Sequence, residues 1–151
     1  MSVELAVIGG GNMARAIIDG AIAKGVLKIE QIAVAEPDDA CRAYFEKLGC
    51  LAIASTEDLP HAPFVLIAVK PQVFQSIAND VNGDVIYSIM AGVPTSYIAN
   101  ETGNDKVIRV MPNLPCSLGV GAAGLTRSQN ASTQDAELAN ALFSAIGLVV
   151  E

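Results

Sequence analysis

The chain has 151 residues, of which 52% are hydrophobic and 17% are charged, and its formal net charge is −7. This apolar content is high enough for a buried core within one domain, which excludes an intrinsically disordered chain. Lys and Arg form no cluster and aromatic residues make up 5%, so nucleic acid is excluded as a partner because phosphate binding needs a basic patch.

Strand-like and helix-like patterns alternate along the whole chain. Short apolar runs predict strands at residues 3–8, 32–35, 51–54, 64–69, 85–90, 107–111 and 148–150, with a weaker, glycine-rich strand at 119–125. Helical spacing predicts helices from Met13 to a stop at Gly25, from Asp38 to Gly49, at 73–80 and 94–100, and from a cap at Ser132 to Gly147. Strands separated by helices indicate one α/β domain with a doubly wound, mainly parallel sheet and helices on both faces.

The turn between the first strand and the first helix has the pattern Gly-x-Gly-x-x-Ala. It consists of Gly9, Gly10, Gly11, Asn12, Met13 and Ala14. Gly9 permits a tight turn, Gly11 lets a diphosphate approach the backbone, and Ala14 keeps the helix close to the sheet. The start of the helix presents free N–H groups and the positive end of its dipole to the phosphates. The pattern therefore predicts a Rossmann-like domain that binds a dinucleotide.

An acidic residue near the end of the second strand is the second part of this pattern. Glu36 stands there, about twenty residues beyond the glycines. Its carboxylate can accept hydrogen bonds from ribose hydroxyls and repels a 2′-phosphate, so NADH is allowed as the cofactor. Arg42, one turn into the next helix, could reach a 2′-phosphate, so NADH and NADPH both remain open. The alternative for Glu36 is a solvated glutamate before Pro37 that caps the helix that follows.

Three further segments close predicted strands. They read Ala-Val-Lys-Pro-Gln at 68–72, Ser-Ile-Met-Ala-Gly-Val at 88–93 and Val-Ile-Arg-Val-Met-Pro-Asn-Leu-Pro at 107–115. Together with the glycine turn, and in the same order and at similar spacing, these segments resemble those of the pyrroline-5-carboxylate reductases. The resemblance covers essentially all 151 residues. It implies NADH- or NADPH-dependent reduction of the cyclic imine 1-pyrroline-5-carboxylate to L-proline.

The resemblance also implies which residues contact the cofactor. Gly10, Asn12 and Met13 would contact the diphosphate, and Glu36 and Thr56 the adenosine ribose. Ala68, Val69, Lys70 and Pro71 would lie at the second ribose, and Ala91, Gly92 and Asn113 at the nicotinamide. No catalytic residue is assigned, because the cofactor supplies the hydride and no side chain is required as a nucleophile. The alternatives are a solvent-facing lysine for Lys70 and a turn former between two prolines for Asn113.

Members of that family carry a second, helical domain after the region that resembles this chain. The resemblance implies that this domain forms a dimer, so we expect a full-length homo-oligomer, and that its Ser/Thr-rich segment binds the substrate carboxylate. Such a domain is absent from residues 1–151, so we expect the chain alone to bind NAD(P)H weakly and not to turn over. A smaller departure is Leu114-Pro115-Cys116, where Thr and Ala are common in the family, and it affects only fine contacts.

The remaining chemically reactive side chains have simpler interpretations. Arg109 lies inside a predicted strand and is interpreted as the partner of a carboxylate, and His61 as a surface-loop residue rather than a general acid. Cys41, Cys50 and Cys116 lack metal or redox spacing, so we expect free thiols and no metal. The apolar runs are shorter than a membrane span and the N-terminus lacks a signal sequence, so we expect a cytoplasmic protein without a membrane partner.

Three other functions remain open. The nearest is another Rossmann oxidoreductase, of the F420-dependent NADP reductase type or the hydroxyacid dehydrogenase type. The Val-Lys-Pro-Gln and Met-Pro-Asn-Leu-Pro segments argue against it. A non-enzymatic dinucleotide-binding module and a purely structural α/β domain are the other two, and titration with NADH and NADPH distinguishes them.

Overall fold

The computed structural model describes residues 2–112 and 121–150. Within these ranges eight strands form one sheet: β1 (Leu5–Ile8), β2 (Ile32–Ala35), β3 (Leu51–Ile53), β4 (Ala62–Ile67), β5 (Gly83–Ser88), β6 (Val107–Pro112), β7 (Gly121–Arg127) and β8 (Gly147–Val150). The same ranges hold five α-helices: α1 (Asn12–Ala23), α2 (Asp39–Leu48), α3 (Pro71–Ile77), α4 (Thr95–Thr102) and α5 (Glu137–Ser144).

The strand order across the sheet is β3-β2-β1-β4-β5-β6-β7-β8. Neighbouring strands from β3 to β6 are parallel, β7 is antiparallel to β6, and β8 is parallel to β7. The chain moves outward on one side from β1 to β3 and then crosses to β4 on the other side of β1. Ligands of open α/β sheets bind in the crevice that this reversal leaves at the carboxyl ends of the strands. The predicted fold class is confirmed.

Helices cover both faces of the sheet, and each face has its own buried cluster. Side chains of β1 alternate between them: Leu5 and Val7 pack with α1, α2 and α5, whereas Ala6 and Ile8 pack with α3 and α4. All four are at most 2% exposed. This burial on both sides explains why the strands appear as continuous apolar runs in the sequence.

Helix α1 packs closely against a residue that follows α5. A Cβ atom on Gly20 would lie 2.5 Å from Cγ2 of Ile146, so a side chain at position 20 would force the Ile146 side chain or α1 to shift. Ile17, Ile18 and Ala21 of α1 are fully buried beside this contact. The position of α1 on the sheet is thus fixed from below by β1 and from the side by the residues that follow α5.

Most predicted helices are confirmed with small shifts in their ends. Asp38 begins α2 as expected, and its carboxylate accepts a hydrogen bond from the backbone N–H of Cys41 at 2.9 Å. The helix predicted at 73–80 starts earlier, at Pro71, and passes into a 3₁₀ turn at 78–80. The helix predicted to begin at Pro94 begins one residue later, with Pro94 as its cap.

The start and end predicted for the last helix are wrong. Ser132 does not cap it, because Ser132 and Asp135 exchange two hydrogen bonds, of 2.9 and 3.0 Å, that close a separate turn. Helix α5 then begins at Glu137 and ends at Ser144. Gly147 does not terminate the helix but begins β8. The short polar side chains of Ser132 and Asp135 thus satisfy the local backbone N–H groups ahead of α5.

Tyr87 connects β5 to the turn before α5. Its ring is fully buried and stacks on Phe64 with 5.4 Å between ring centroids, while its hydroxyl donates a hydrogen bond to the carbonyl of Asp135 at 2.7 Å.

We expect Tyr87→Phe to lower the free energy of unfolding by about 1 kcal/mol, because a part-buried carbonyl loses its donor. Urea denaturation measures this loss. Tyr97→Phe, at a half-exposed tyrosine, serves as the control, and equal losses in both variants would contradict the explanation.

Candidate functional site

A cavity of about 540 Å³ opens at the carboxyl ends of β1, β2, β3 and β4. Its size is within the range of about 300–1,000 Å³ that is usual for small-molecule and cofactor sites. Its walls consist of residues at or just after the ends of these strands and of one side of α3: Ile8, Gly9, Gly10, Gly11, Ala35, Glu36, Pro37, Ala54, Ser55, Thr56, Ala68, Val69, Lys70, Val73, Ser76 and Ile77.

The cavity brings together many, but not all, of the residues singled out from the sequence. Those that line it are Gly9, Gly10, Gly11, Glu36, Thr56, Ala68, Val69 and Lys70. Those described but outside its walls are Asn12, Met13, Ala14, Pro71, Ala91 and Gly92. Asn113 lies outside the described residues. Ala14 is 1% exposed and packs in the core between α1 and the sheet, as expected from its place in the glycine pattern.

The backbone at Gly9 is held tightly between two neighbouring strands. On the β2 side, the N–H of Gly9 donates a hydrogen bond to the carbonyl of Ala35 at 2.9 Å. On the β4 side, the carbonyl of the preceding residue, Ile8, accepts a hydrogen bond from the N–H of Ala68 at 2.8 Å. The φ angle of Gly9 is +101°, and a Cβ there would lie 2.8 Å from the carbonyl oxygen of Ala68. Only glycine satisfies both conditions without strain.

Gly11 differs from Gly9, because neither its backbone conformation nor its neighbours require a glycine. Its φ of −79° and ψ of −168° are open to any residue, and a Cβ there would meet nothing within 4 Å. It occupies the N-cap position of α1, but no side chain makes a capping hydrogen bond there and no acidic residue occupies the first turn, so the helix start is uncapped. Free N–H groups and the positive dipole end of a twelve-residue helix therefore face an open space.

Glu36 cross-links the glycine turn to the start of α2. Its Oε1 accepts a hydrogen bond from the N–H of Gly10 at 2.7 Å, and its Oε2 accepts one from the N–H of Asp38 at 2.8 Å. Each carboxylate oxygen can accept a second hydrogen bond, so the group keeps its capacity to bind hydroxyls. The contact with Asp38 is close to the structural alternative given for Glu36, whereas the contact with Gly10 is a structural role that the sequence pattern does not indicate.

Asp38 adds a second fixed negative charge beside Glu36. The backbone N–H of Cys41 donates to its carboxylate, and this hydrogen bond lowers the pKa of Asp38 below its ordinary value. Asp38 therefore stays ionised at the start of α2 throughout the neutral range.

Arg42 does not extend toward the cavity. Its guanidinium donates to Asp39 at 2.6 Å and to the carbonyl oxygens of Glu36 and Pro37 at 3.0 and 3.3 Å, and it lies 3.5 Å from a carboxylate oxygen of Glu46. The expectation that Arg42 could reach a phosphate at this end of the site is not supported, because these acceptors hold its guanidinium against α2.

Lys70 ends the loop on the other side of the cavity. It is exposed and precedes α3, and Val73 donates its N–H to the Lys70 carbonyl at 2.9 Å. Its ammonium has no carboxylate within ion-pair distance among residues 2–112 and 121–150. A free cation at the mouth of an apolar-walled cavity suits an anionic ligand.

Two hydroxyl-bearing residues of the cavity were missed in the sequence. Ser55 follows β3 at the same edge of the sheet, and the register of a third parallel strand was the signal that could have identified it. Ser76 faces the cavity with Val73 and Ile77, at the spacing that places residues on one side of a helix. Its hydroxyl donates to the carbonyl of Val73 at 2.6 Å.

Arg109 and His61 lie outside the cavity walls. Among the described residues no carboxylate lies within ion-pair distance of Arg109, so the carboxylate partner expected for it is not found there. Its Nη2 donates to Sδ of Met111 at 3.3 Å, while its Nε is shielded from solvent and has no hydrogen-bond partner among the same residues. His61 is exposed, as expected, and lies 3.1 Å from a carboxylate oxygen of Asp84 at the opposite edge of the sheet.

Among residues 2–112 and 121–150, no helix combines the length and the apolar character that a membrane span requires. No group of three or more His, Cys, Asp and Glu side chains in those ranges is arranged to hold a metal ion.

The fold and the cavity together define an α/β domain of the dinucleotide-binding type. The chain belongs to the family described as NADP oxidoreductase, coenzyme F420-dependent, whose model matches residues 4–92. An F420-dependent NADP reductase was the nearest alternative function given for the sequence. The matched residues include the glycine turn and the residues that line the cavity.

The resemblance to pyrroline-5-carboxylate reductases is confirmed by individual relatives. The pyrroline-5-carboxylate reductase of Synechocystis is 36% identical over 100% of this chain and 59% of its own length. Pyrroline-5-carboxylate reductase 3 of Rattus norvegicus is 34% identical over 95% of this chain and 55% of its own length. A solved pyrroline-5-carboxylate reductase of Coxiella burnetii superimposes with a TM-score of 0.88 and 30% identity, over 98% of this chain and 58% of that one. The chain thus spans little more than half the length of these relatives.

The different roles of Gly9 and Gly11 can be separated by stability measurements. We expect Gly9→Ala to lower the free energy of unfolding by about 1–3 kcal/mol, because the new Cβ meets the Ala68 carbonyl in a left-handed conformation. Gly11→Ala should change it by less than about 1 kcal/mol, since the backbone is extended and the space is open. Thermal and urea unfolding measure both. Similar losses in the two variants would contradict the described turn geometry.

Proposed function

We propose that this chain is the NAD(P)H-binding part of a reductase that converts 1-pyrroline-5-carboxylate to L-proline. The observation that carries the proposal is the open space in front of the uncapped α1 start at Gly11, which is continuous with the cavity beside Glu36. The similarity to pyrroline-5-carboxylate reductases over the whole chain supports the choice of reaction.

The residues present fit a dinucleotide diphosphate. A Cβ at Gly11 would occupy the space that the diphosphate needs, and the N–H groups at the start of α1 would donate to its oxygens. The N–H of Gly10 is already directed at Glu36, so we assign the diphosphate to the amides that follow, at Gly11, Asn12 and Met13.

The other contacts follow the order of strands along the sheet edge. Glu36 and Thr56 would bind the adenosine ribose, and Val69 and Lys70 the second ribose, with Ala68 and Pro71 beside them. For the nicotinamide we propose the backbone of Ala91, Gly92 and Asn113, which the sequence places after β5 and β6. Because β4, β5 and β6 are adjacent and parallel, their carboxyl ends form one continuous edge along which an extended cofactor would lie.

The chemistry requires little from this chain beyond binding and orientation. When bound, the nicotinamide cofactor supplies the hydride that reduces the imine carbon. The glycine turn and the loop at Lys70 would hold the cofactor in one position, which removes much of the orientational cost of the reaction. Apolar walls such as Ile8, Ala35 and Val69 would keep water away from the bound dinucleotide.

Turnover is assigned to a longer chain. The relatives extend well beyond the matched region, and the substrate carboxylate and the imine proton would be handled by their second, helical part. We propose that this part also forms a homo-oligomer and that the enzyme is cytoplasmic. The substrate is the small molecule pyrroline-5-carboxylate.

The F420-linked alternative has weaker support. The family model of that description stops at residue 92, whereas the pyrroline-5-carboxylate reductase relatives match 95–100% of the chain. The part beyond residue 92 contains β6 and the Met-Pro-Asn-Leu-Pro segment, so it favours imine reduction.

Nucleotide binding can be tested with a matched pair of glycine variants. We expect Gly11→Val to weaken NADH and NADPH binding about tenfold or more, because the side chain fills the diphosphate space. Gly124→Val is the control, since its Cβ also meets nothing within 4 Å but lies on β7, three strands from β4. Calorimetric titration measures Kd. Equal affinity of wild type and Gly11→Val would refute the site.

The reaction can be tested by completing the chain. The 151-residue chain alone should reduce pyrroline-5-carboxylate at a rate near background. A fusion to the remaining part of the Synechocystis relative should gain activity, and the same fusion with Gly11→Val should lose it. A folded fusion that binds NADH and does not reduce the imine would contradict the proposed reaction.

A further inference from the structure

We propose that the adenosine end of the cavity selects an unphosphorylated ribose, so that the chain binds NADH in preference to NADPH. The inference rests on the proposed dinucleotide site and deepens it. It is carried by two observations at the start of α2: the carboxylate of Glu36 is fixed in place, and the nearest arginine is fully engaged elsewhere.

Glu36 cannot turn away from an incoming ligand without breaking two backbone contacts. Its oxygens accept from Gly10 and Asp38, which belong to two different loops, at 2.7 and 2.8 Å. Rotating the side chain would leave both N–H groups without their acceptor. The negative charge therefore remains at the position where the 2′ substituent of the adenosine ribose would lie, and its remaining lone pairs suit hydroxyl donors.

Arg42 is not available to neutralise a 2′-phosphate. Its side chain is 19% exposed, and it pairs with Asp39 and Glu46 besides donating to two carbonyl oxygens. Reaching into the cavity would require it to leave all of these acceptors. Arg15, on α1, is also engaged, since its guanidinium lies 3.7 Å from the centre of the Tyr44 ring.

The remaining charges near this end are negative. Asp38 is ionised beside Glu36, and Asp39, whose side chain is 92% exposed, follows it. Among the described residues of the cavity wall, Lys70 is the cation, and it follows β4, which is separated from β2 by β1, about 10 Å at usual strand spacing. A phosphate monoester carries about −1.5 to −2 charges at neutral pH and would be placed against this cluster.

The test compares the two cofactors directly by calorimetric titration of the 151-residue chain. We expect the Kd of NADH to be about tenfold or more lower than that of NADPH. Of the adenosine fragments, 5′-AMP, which lacks the 2′-phosphate, should bind more tightly than 2′,5′-ADP, which carries it. Because salt screens exposed charges, the difference should narrow as ionic strength rises.

Two variants identify the residues responsible. Asp39→Asn releases Arg42 from its shortest ion pair and should tighten NADPH binding about threefold while leaving NADH unchanged. Glu36→Ser should bring the two Kd values close together, and unfolding curves will show whether the turn remains intact. Asp80→Asn removes the same charge beyond α3, at the opposite edge of the sheet, and should leave both affinities unchanged.

The outcomes separate this inference from the function on which it depends. Wild-type affinity for NADPH equal to or greater than that for NADH overturns the selectivity and leaves the dinucleotide site standing. Equal tightening of both cofactors by Asp39→Asn also overturns it, since charge at the ribose would then not discriminate. Failure of both cofactors to bind overturns the site and the selectivity together.

Discussion

The close approach of Gly9 to the carbonyl of Ala68 determines the geometry on which the candidate site depends. The contact leaves no room for a Cβ, and the chain must leave β1 in a left-handed conformation to make it. Because β1 is hydrogen-bonded to β2 and β4 on either side, the turn starts from a fixed point. The direction in which α1 leaves the sheet, and so the direction of its free N–H groups, follows from that point.

Glu36 extends this constraint to the next loop. By accepting from Gly10 and Asp38, one carboxylate joins the turn after β1 to the turn after β2. Two loops that would otherwise move separately thus share an anchor, and the space between them is formed before any ligand arrives. A site organised in this way loses less conformational entropy when it binds.

The sequence was sufficient for the fold class and for much of the cavity. Parallel strands that are covered on both faces appear as continuous apolar runs in the sequence. The glycine pattern identifies the turn between β1 and α1, where the cavity lies. It was insufficient at the C-terminal side, where Ser132 and Asp135 satisfy each other rather than cap α5, and where β7 runs antiparallel to β6. Hydrophobic periodicity contains no information on strand direction, and a capping residue looks the same whether or not a helix follows it.

Side-chain partners were equally inaccessible from the pattern. Arg42 is at the right spacing to meet a phosphate, yet the sequence does not reveal that Asp39, Glu46 and two carbonyl groups occupy its guanidinium. Arg109 was expected to meet a carboxylate and instead lies against Met111. Such outcomes depend on which rotamers fit together in three dimensions, and local sequence does not specify them.

The contact between Gly20 and Ile146 has a mechanical consequence for residues distant from the cavity. Because Gly20 has no side chain, α1 packs directly against the side chain of Ile146, so a displacement of Ile146 would be expected to shift α1. Residues 137–146 form no part of the cavity wall. They nevertheless pack against the C-terminal half of α1, whose N-terminal end borders the cavity. Substitutions that enlarge position 20 or shrink position 146 would therefore alter ligand affinity through helix placement rather than through contact.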